Sequence, residues 1–378
     1  MLGPRWHPSC YHDPMKTSLA KPLAIALLLA AGGAAAQAVE RIPIKVIALS
    51  GFEVGDDTGD APGEFQFWVE REKLTERVEV PGAPHPLLHN SEGLYADVAG
   101  NTRDPQMTPL PATELVMALC LDPQLDLSHT YWIMNGIAGI DPAAGPMGSA
   151  VWAETVVDGD AMREIDESEA PAKWPYGLFA IGTDTPGVLP TDGGTAGGWG
   201  GAKLQYTMAY PLNAKLVRWA YETSKGVELP DSPALKAWRM RYVGYPQAQL
   251  APRVMIGDNL ASVRYWHGPK RTQWARDWVR AWTRGKGTFA TTSMETQDFV
   301  GTLTRMAAKG YLDINRVLVM RSASNYCMPP PGTDAIATVG DETLGTDAAL
   351  EAAYRSSAAV AHELLRNWPK YENSIPGS

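Results

Sequence analysis

The stretch from His129 to Asp160, HTYWIMNGIAGIDPAAGPMGSAVWAETVVDGD, constrains this chain more than any other. Thr130 to Met134 is an apolar, β-rich run with the look of a buried strand. It enters Asn135-Gly136-Ile137-Ala138-Gly139, whose small residues predict a turn that lets backbone approach a ligand closely. A second apolar run, Ala150 to Val157, follows Gly145, Pro146 and Gly148. Strand, Gly/Ala turn, strand is how an α/β sheet builds a pocket at the carboxyl end of a strand. Two glycines at such a junction can also serve packing alone. The segment gains weight because later segments fit the same pocket.

Elsewhere the chain alternates strand and helix signals. Ile44 to Leu49 is a β-branched run closed by Ser50-Gly51, and reads as the first, central strand. Helices are predicted over Pro111–Cys120, Leu204–Thr223, Ala234–Tyr242, Thr272–Thr283, Ser293–Ala308 and Ala348–Leu365. Short strands are predicted at Arg253–Ile256, ending in Gly257-Asp258-Asn259, and at Arg316–Arg321, ending in Ser322-Ala323-Ser324-Asn325. This alternation predicts an α/β fold, a central mixed β-sheet flanked by helices. Residues 225–252, rich in Pro and Tyr, read as an insertion or lid.

The N-terminus reads as a targeting segment. Residues 1–14 precede a second Met and have no structural logic, a spurious start. From Met15, Lys16 and Lys21 supply a positive n-region, Leu23 to Ala36 an apolar run, and Ala36-Gln37-Ala38 a cleavage site. That run is shorter than the roughly 20 residues a spanning helix needs; an uncleaved anchor is the alternative. Cleavage near Ala38 would release residues 39–378 as one domain, periplasmic or secreted. The rest of the chain predicts a soluble protein. A net charge of −9 argues against nucleic-acid binding, which wants a basic face. Cys120 and Cys327, the cysteines left after cleavage, allow one bridge in an oxidising compartment and no disulfide scaffold. No ligand spacing for a structural metal is present.

Four strand ends carry small or polar residues: Ser50-Gly51, Asn135-Gly136, Asp258-Asn259 and Ser324-Asn325. Such ends converge on a ligand crevice in α/β folds. Ser293-Met294-Glu295 adds a helix start, with Ser293 as the expected N-cap and Glu295 well placed in the dipole. The indoles of Trp274, Trp278 and Trp282 share one helix face and read as core. Arg276, Arg280 and Arg284 read as a solvated row, and His267 and His362 are given no role.

The order of NGIAG, IGDN, SMET and VMRSASN resembles the purine and uridine phosphorylase / methylthioadenosine nucleosidase superfamily. PATELVMALCLDPQLDLSHTYWIMNGIAGIDPAAGPMGSAVWAE and VLVMRSASNYCMPPPG are similar to the purine nucleoside permease family, over roughly residues 43–370. The resemblance implies a single-domain nucleoside-phosphorylase-like fold and a purine nucleoside ligand. It implies that Met294 and Glu295 hold ribose, with the carboxylate accepting from two hydroxyls. Asn325 stands where the nucleosidases place an Asp that protonates the departing purine; an amide can donate a hydrogen bond there but not an acidic proton. Gly136, Ile137, Ala138 and Gly139, with Asn135, would line base and ribose through backbone groups.

Phosphorolysis would need an anion site beside the sugar, with inorganic phosphate as co-substrate and no other cofactor. Ser50 and Gly51 supply candidate backbone for it, and Arg103 is the nominated arginine. Three functions follow. One is nucleoside binding that contributes to uptake, with a separate inner-membrane transporter. Another is cleavage of the N-glycosidic bond by phosphate or water. The third is an interaction domain that reuses the fold without a ligand. The superfamily also implies a homo-oligomer.

Overall fold

Apolar runs in the sequence become the inner strands. A computed structural model describes residues 41–103, 110–190, 206–340 and 343–378; the expected leader lies outside them. In chain order, β1 (Ile42–Pro43) and β2 (Val46–Glu53) precede α1 (Gln66–Arg71), β3 (Glu76–Val78), β4 (Leu87–His89) and β5 (Leu94–Asn101). Then come α2 (Leu110–Leu121), β6 (Leu125–Asp126), β7 (Tyr131–Ile140), β8 (Ala150–Asp158), β9 (Met162–Glu164) and β10 (Leu178–Ala180). β11 (Ala209–Pro211), α3 (Ala214–Ser224), α4 (Pro233–Arg239) and β12 (Val254–Ala261) follow. The last elements are α5 (Pro269–Trp282), β13 (Phe289–Ser293), α6 (Thr296–Ala307), β14 (Val317–Tyr326), α7 (Thr343–Arg366) and α8 (Trp368–Tyr371).

The main sheet runs β11-β8-β12-β13-β7-β2-β5-β4-β3, and β14 pairs with both β7 and β8. Parallel and antiparallel pairings coexist, so the sheet is mixed, as the alternation predicts. Because β14 bridges β7 and β8, the strands β8, β12, β13, β7 and β14 close a hydrogen-bonded ring. Val46–Leu49, Tyr131–Met134 and Val317–Met320 are all buried; these strands are covered on both faces, which explains their unbroken apolar character. α7 packs along β14 and β7, and α2 packs against α6. Trp274, Trp278 and Trp282 are buried in a cluster with Leu178, Leu260 and Phe289, as their spacing predicts.

Several elements depart from the sequence expectations. Asn135–Gly139 is not a turn: it continues β7 to Ile140. Likewise Gly257-Asp258-Asn259 lies inside β12, at a register shift, and Ser322–Asn325 lies inside β14. Small residues there serve close approach between neighbouring groups rather than chain reversal. The helix expected from Leu204 starts at Ala214 within the described residues, because Pro211 ends β11 and the Asn213 side chain caps α3 by accepting from Lys215 N and Leu216 N. Ser293 ends β13, and Glu295 takes the N-cap position of α6 without a side-chain capping bond.

Residues 225–252 contain α4, and their second half is tied to the end of β14 and the residues just after it. Arg239 pairs with Asp231 through two 2.8 Å bonds, Tyr242 Oη donates to Met328 O at 3.0 Å, and Tyr326 Oη donates to Ala248 O at 2.9 Å. Cys120 and Cys327 are both buried and free, so the bridge that an oxidising compartment would allow is not formed. Among the described residues no helix is long and apolar enough to cross a membrane.

Candidate functional site

β7 changes partners along its length, and that change opens a gap. Its first half pairs with β2, ending at Ser50 opposite Asn135. Its end pairs with β13, Thr292 opposite Gly139 and Thr291 opposite Ile140. β14 holds the other edge throughout, so Gly136–Ala138 face the gap between β2 and β13. A backbone N–H left at such a gap must find another acceptor. Ile137 N donates to Glu64 Oε1 at 2.7 Å, and Gly51 N donates to Glu64 Oε2 at 2.7 Å.

The segment that presents Glu64 is itself fixed. The buried Glu53 carboxylate accepts from the backbone N–H of Gly63, from Phe65 at 2.9 Å, from Gln66 at 2.6 Å and from Val54 at 2.7 Å. Glu64 N donates to Phe52 O at 3.0 Å, and Ser50 Oγ donates to Glu64 O at 3.1 Å. Four amides on one carboxylate make a rigid loop of a Gly-rich stretch.

Arg321 of β14 sits opposite Gly136 of β7, with its side chain 1% exposed. Its Nη2 lies 2.6 Å from Glu295 Oε1, and its Nη1 lies 3.7 Å from Glu64 Oε1. None of its three side-chain nitrogens makes a well-aligned hydrogen bond, so the close approach to Glu295 is an ion pair of imperfect geometry. Burial pushes the Glu64 carboxyl up to about 7; Arg321 pulls it down, and Glu295 pushes it further up. Two glycines make room for the cluster. A Cβ on Gly51 would stand 2.6 Å from Glu295 Oε1, and one on Gly136 would collide with Arg321 and Glu64.

Around this cluster the other expected residues divide. Met294 stands 40% exposed beside Glu295, a free apolar surface at the lip. Asn325, opposite Gly139, is half-buried: its Nδ2 lies 3.4 Å from Tyr265 Oη and 3.2 Å from Tyr326 O, while its Oδ1 accepts from Ser324 Oγ at 2.9 Å. Asn135 faces the other way. With the amide assigned the orientation that its neighbours require, its nitrogen faces Ala353 O and Ser357 Oγ at 2.9 Å and its oxygen faces Trp68 Nε1 at 3.2 Å, so it ties β7 to α7 and α1.

Asn259 and Ser293 are internal braces: Asn259 Nδ2 donates to Thr291 Oγ1 at 3.1 Å, and Ser293 Oγ donates to Asn259 Oδ1 at 3.1 Å. Asp258, turned by the register shift, accepts from Thr288 N at 2.6 Å and lines a separate cavity of about 440 Å³ with Glu154, Arg284 and Lys286. Arg103 is 61% exposed and paired with Asp56 and Asp60, so it aims no free charge at Ser50. Arg276 leaves the expected solvated row to bind Asp141. His362 bonds Glu72 and His267 bonds Thr338, both at 2.8 Å. Among the described residues no group of three or more His, Cys, Asp or Glu could hold a metal.

Sequence reasoning missed Glu64 and Arg321. Arg321 left a signal, a lone charge inside the core-strand run VLVMRSAS, and such a charge is kept only with a partner. Glu64 left none, because APGEF reads as loop.

The chain matches the family described as purine nucleoside permease (NUP) over residues 43–376. It is 28% identical over 284 residues to a probable purine nucleoside permease of Schizosaccharomyces pombe, spanning 73% of this chain and 80% of that one. It is 25% identical over 313 residues to a purine nucleoside permease of Candida albicans, spanning 81% and 73% respectively. Among solved structures, a 5′-methylthioadenosine/S-adenosylhomocysteine nucleosidase from Neisseria meningitidis overlays with a TM-score of 0.49 and 12% identity, covering 85% of this chain and 100% of that one.

Proposed function

From the premise that this chain belongs to the purine nucleoside permease family, we propose that it binds purine nucleosides at the β7 gap and contributes to their uptake. The observation that carries this is Glu295, a carboxylate held by the buried Arg321 beside backbone that only glycine leaves open. A carboxylate there accepts hydrogen bonds from two ribose hydroxyls, and Met294 offers an apolar surface to the sugar. Asn325 and Tyr265 meet the base: the amide donates to a purine ring nitrogen, and the ring gives it a flat apolar face.

Uptake then works by capture and transfer. In this proposal residues 1–38 are a cleaved export signal, the protein is periplasmic or secreted, and an inner-membrane transporter receives the nucleoside. The domain has the nucleoside-phosphorylase-like architecture and works as a homo-oligomer. Calorimetric titration of residues 39–378 with inosine, adenosine and guanosine tests the binding site. Glu295→Ala should weaken binding by about 1–3 kcal/mol, the range for leaving hydrogen-bonding groups unpaired. Unchanged affinity removes Glu295 from the ribose site.

A second function, cleavage of the N-glycosidic bond, is favoured by Glu64. A buried carboxyl titrating near neutrality, fixed by two amides beside a cation, is the kind of group that takes a proton in a reaction. Chromatography of the same mixtures separates the two functions: free purine base means cleavage, and intact nucleoside means binding alone.

A further inference from the structure

The feature left unexplained is what Glu64 does to the anion position after the first central strand. Such a position is built from backbone N–H groups and a nearby cation. This chain has all of its parts: Gly51 N, Ile137 N and the guanidinium of Arg321. All of them converge on one carboxylate of the chain itself, since Glu64 Oε2 takes Gly51 N, Glu64 Oε1 takes Ile137 N, and Arg321 stands 3.7 Å away.

We infer that Glu64 occupies the anion position of this site with its own side chain, so that the site takes uncharged nucleosides and excludes inorganic phosphate and nucleotides. This rests on the nucleoside assignment above. The surrounding charges point the same way. Arg321 already faces two carboxylates, Glu64 and Glu295. Beyond Glu295 the helix start adds more negative charge. Asp298 N donates to Glu295 O at 3.0 Å, and Gln297 Nε2 bridges Asp160 Oδ2 at 3.0 Å and Asp298 Oδ2 at 3.3 Å. Two cations of the neighbouring loops are committed elsewhere. Arg103 is held by Asp56 and Asp60, and His85 lies between Asp57 at 3.0 Å and Asp97 at 3.3 Å. A dianion entering here would meet Glu64 and Glu295, with Asp160 and Asp298 beyond them, and like-charge juxtaposition disfavours binding.

The consequence for bond cleavage is that the attacking group is water. Its oxygen bonds to C1′, one of its protons passes to the ionised Glu64, and the C1′–N bond breaks with its electron pair leaving on the purine. The purine then takes a proton from solvent, Asn325 having none to give as an acid.

The test titrates the full chain with inosine, inosine 5′-monophosphate and sodium phosphate, reading heat and melting temperature for the wild type, Glu64→Ala and Glu64→Gln. The wild type should take inosine and neither anion. Glu64→Ala empties the position beside two amides and Arg321. It should therefore bind phosphate about tenfold or more tightly than the wild type does, and melt higher in phosphate than in chloride of equal ionic strength. Glu64→Gln, which fills the position without charge, should not. Phosphate or nucleotide bound by the wild type as tightly as inosine overturns the inference, as does a folded Glu64→Ala indifferent to phosphate. The wild-type arm decides even if Glu64→Ala does not fold. Failure of the wild type to bind inosine, with phosphate gained by Glu64→Ala, overturns the nucleoside assignment and leaves the anion position standing.

Discussion

Two arginines bind carboxylates in this molecule, and they do it in opposite ways. Arg276 on α5 meets Asp141 at the end of β7 with two bonds of 2.7 Å, and Asp141 also accepts from Ala143 N at 2.9 Å. That is a fork-to-fork pair with its groups satisfied, and it fixes a helix against a strand end. Arg321, on the neighbouring strand, faces two carboxylates, yet none of its nitrogens makes an aligned hydrogen bond. A buried polar group left open is costly and calls for a physical reason. One pair is closed and holds the fold; the other is open, and the proposed function gives that opening a ligand.

The largest effect should come from breaking the open pair. Arg321→Met leaves Glu64 and Glu295 buried without their cation, and removing one partner of a buried ion pair costs about 3–5 kcal/mol. Chemical denaturation would measure it, and nucleoside binding should be lost with it. Arg276→Met should cost less, about 1–3 kcal/mol, since Arg276 is 29% exposed and water can reach part of the gap. Its nucleoside affinity should be unchanged. If Arg276→Met abolishes binding, or Arg321→Met is silent, the division between a structural and a functional pair fails.

The third effect is a pH dependence. Glu64 in the folded chain keeps its proton up to about 7, against an ordinary 4.5. Between those values the folded state holds more protons than the unfolded, so this group's stabilising contribution is full below 4.5 and is lost as pH rises through 7. The slope for one group is at most about 1.4 kcal/mol per pH unit. Glu64→Gln should flatten the stability–pH curve in that window. A curve of unchanged slope would mean that Arg321 holds Glu64 ionised and that the pair is closed after all.

The legibility of these regions differs for the same reason. The fold could be read because apolar runs such as Tyr131–Met134 and Val317–Met320 report burial directly, and the tryptophans of α5 report one buried face. Three strands were cut short at Asn135, Gly257 and Ser322, because glycine and small polar residues signal turns as readily as close packing. The site was half legible. Glu295, Met294 and Asn325 came from a resemblance in short motifs; Glu295 stands against Gly51 and Arg321, Met294 precedes it in the chain, and Asn325 lies opposite Gly139, where β7 meets β13. Glu64 could not be found, because its role depends on a loop returning to β2 and β7 across the sheet, and no local pattern records that. Arg321 could have been found, as the charge that interrupts a core strand.

The smallest effect should be at Asn325, and it sharpens the comparison because Asn325 lies on the same strand as Arg321 but, unlike it, has partners for its amide. Its Nδ2 has only a long contact to Tyr265 Oη at 3.4 Å and one to Tyr326 O at 3.2 Å, and the side chain is half-buried. Asn325→Ala therefore removes little that the fold needs, and the melting temperature should barely move. If the amide meets the base, inosine binding should weaken by about 0.5–1.5 kcal/mol, the net value of one neutral hydrogen bond. Binding of free ribose, which the proposed function assigns to Glu295, should be unaffected. Equal losses for inosine and ribose would place Asn325 with the bracing groups, beside Asn135 and Asn259, and would confine the open region to Glu64, Glu295 and Arg321.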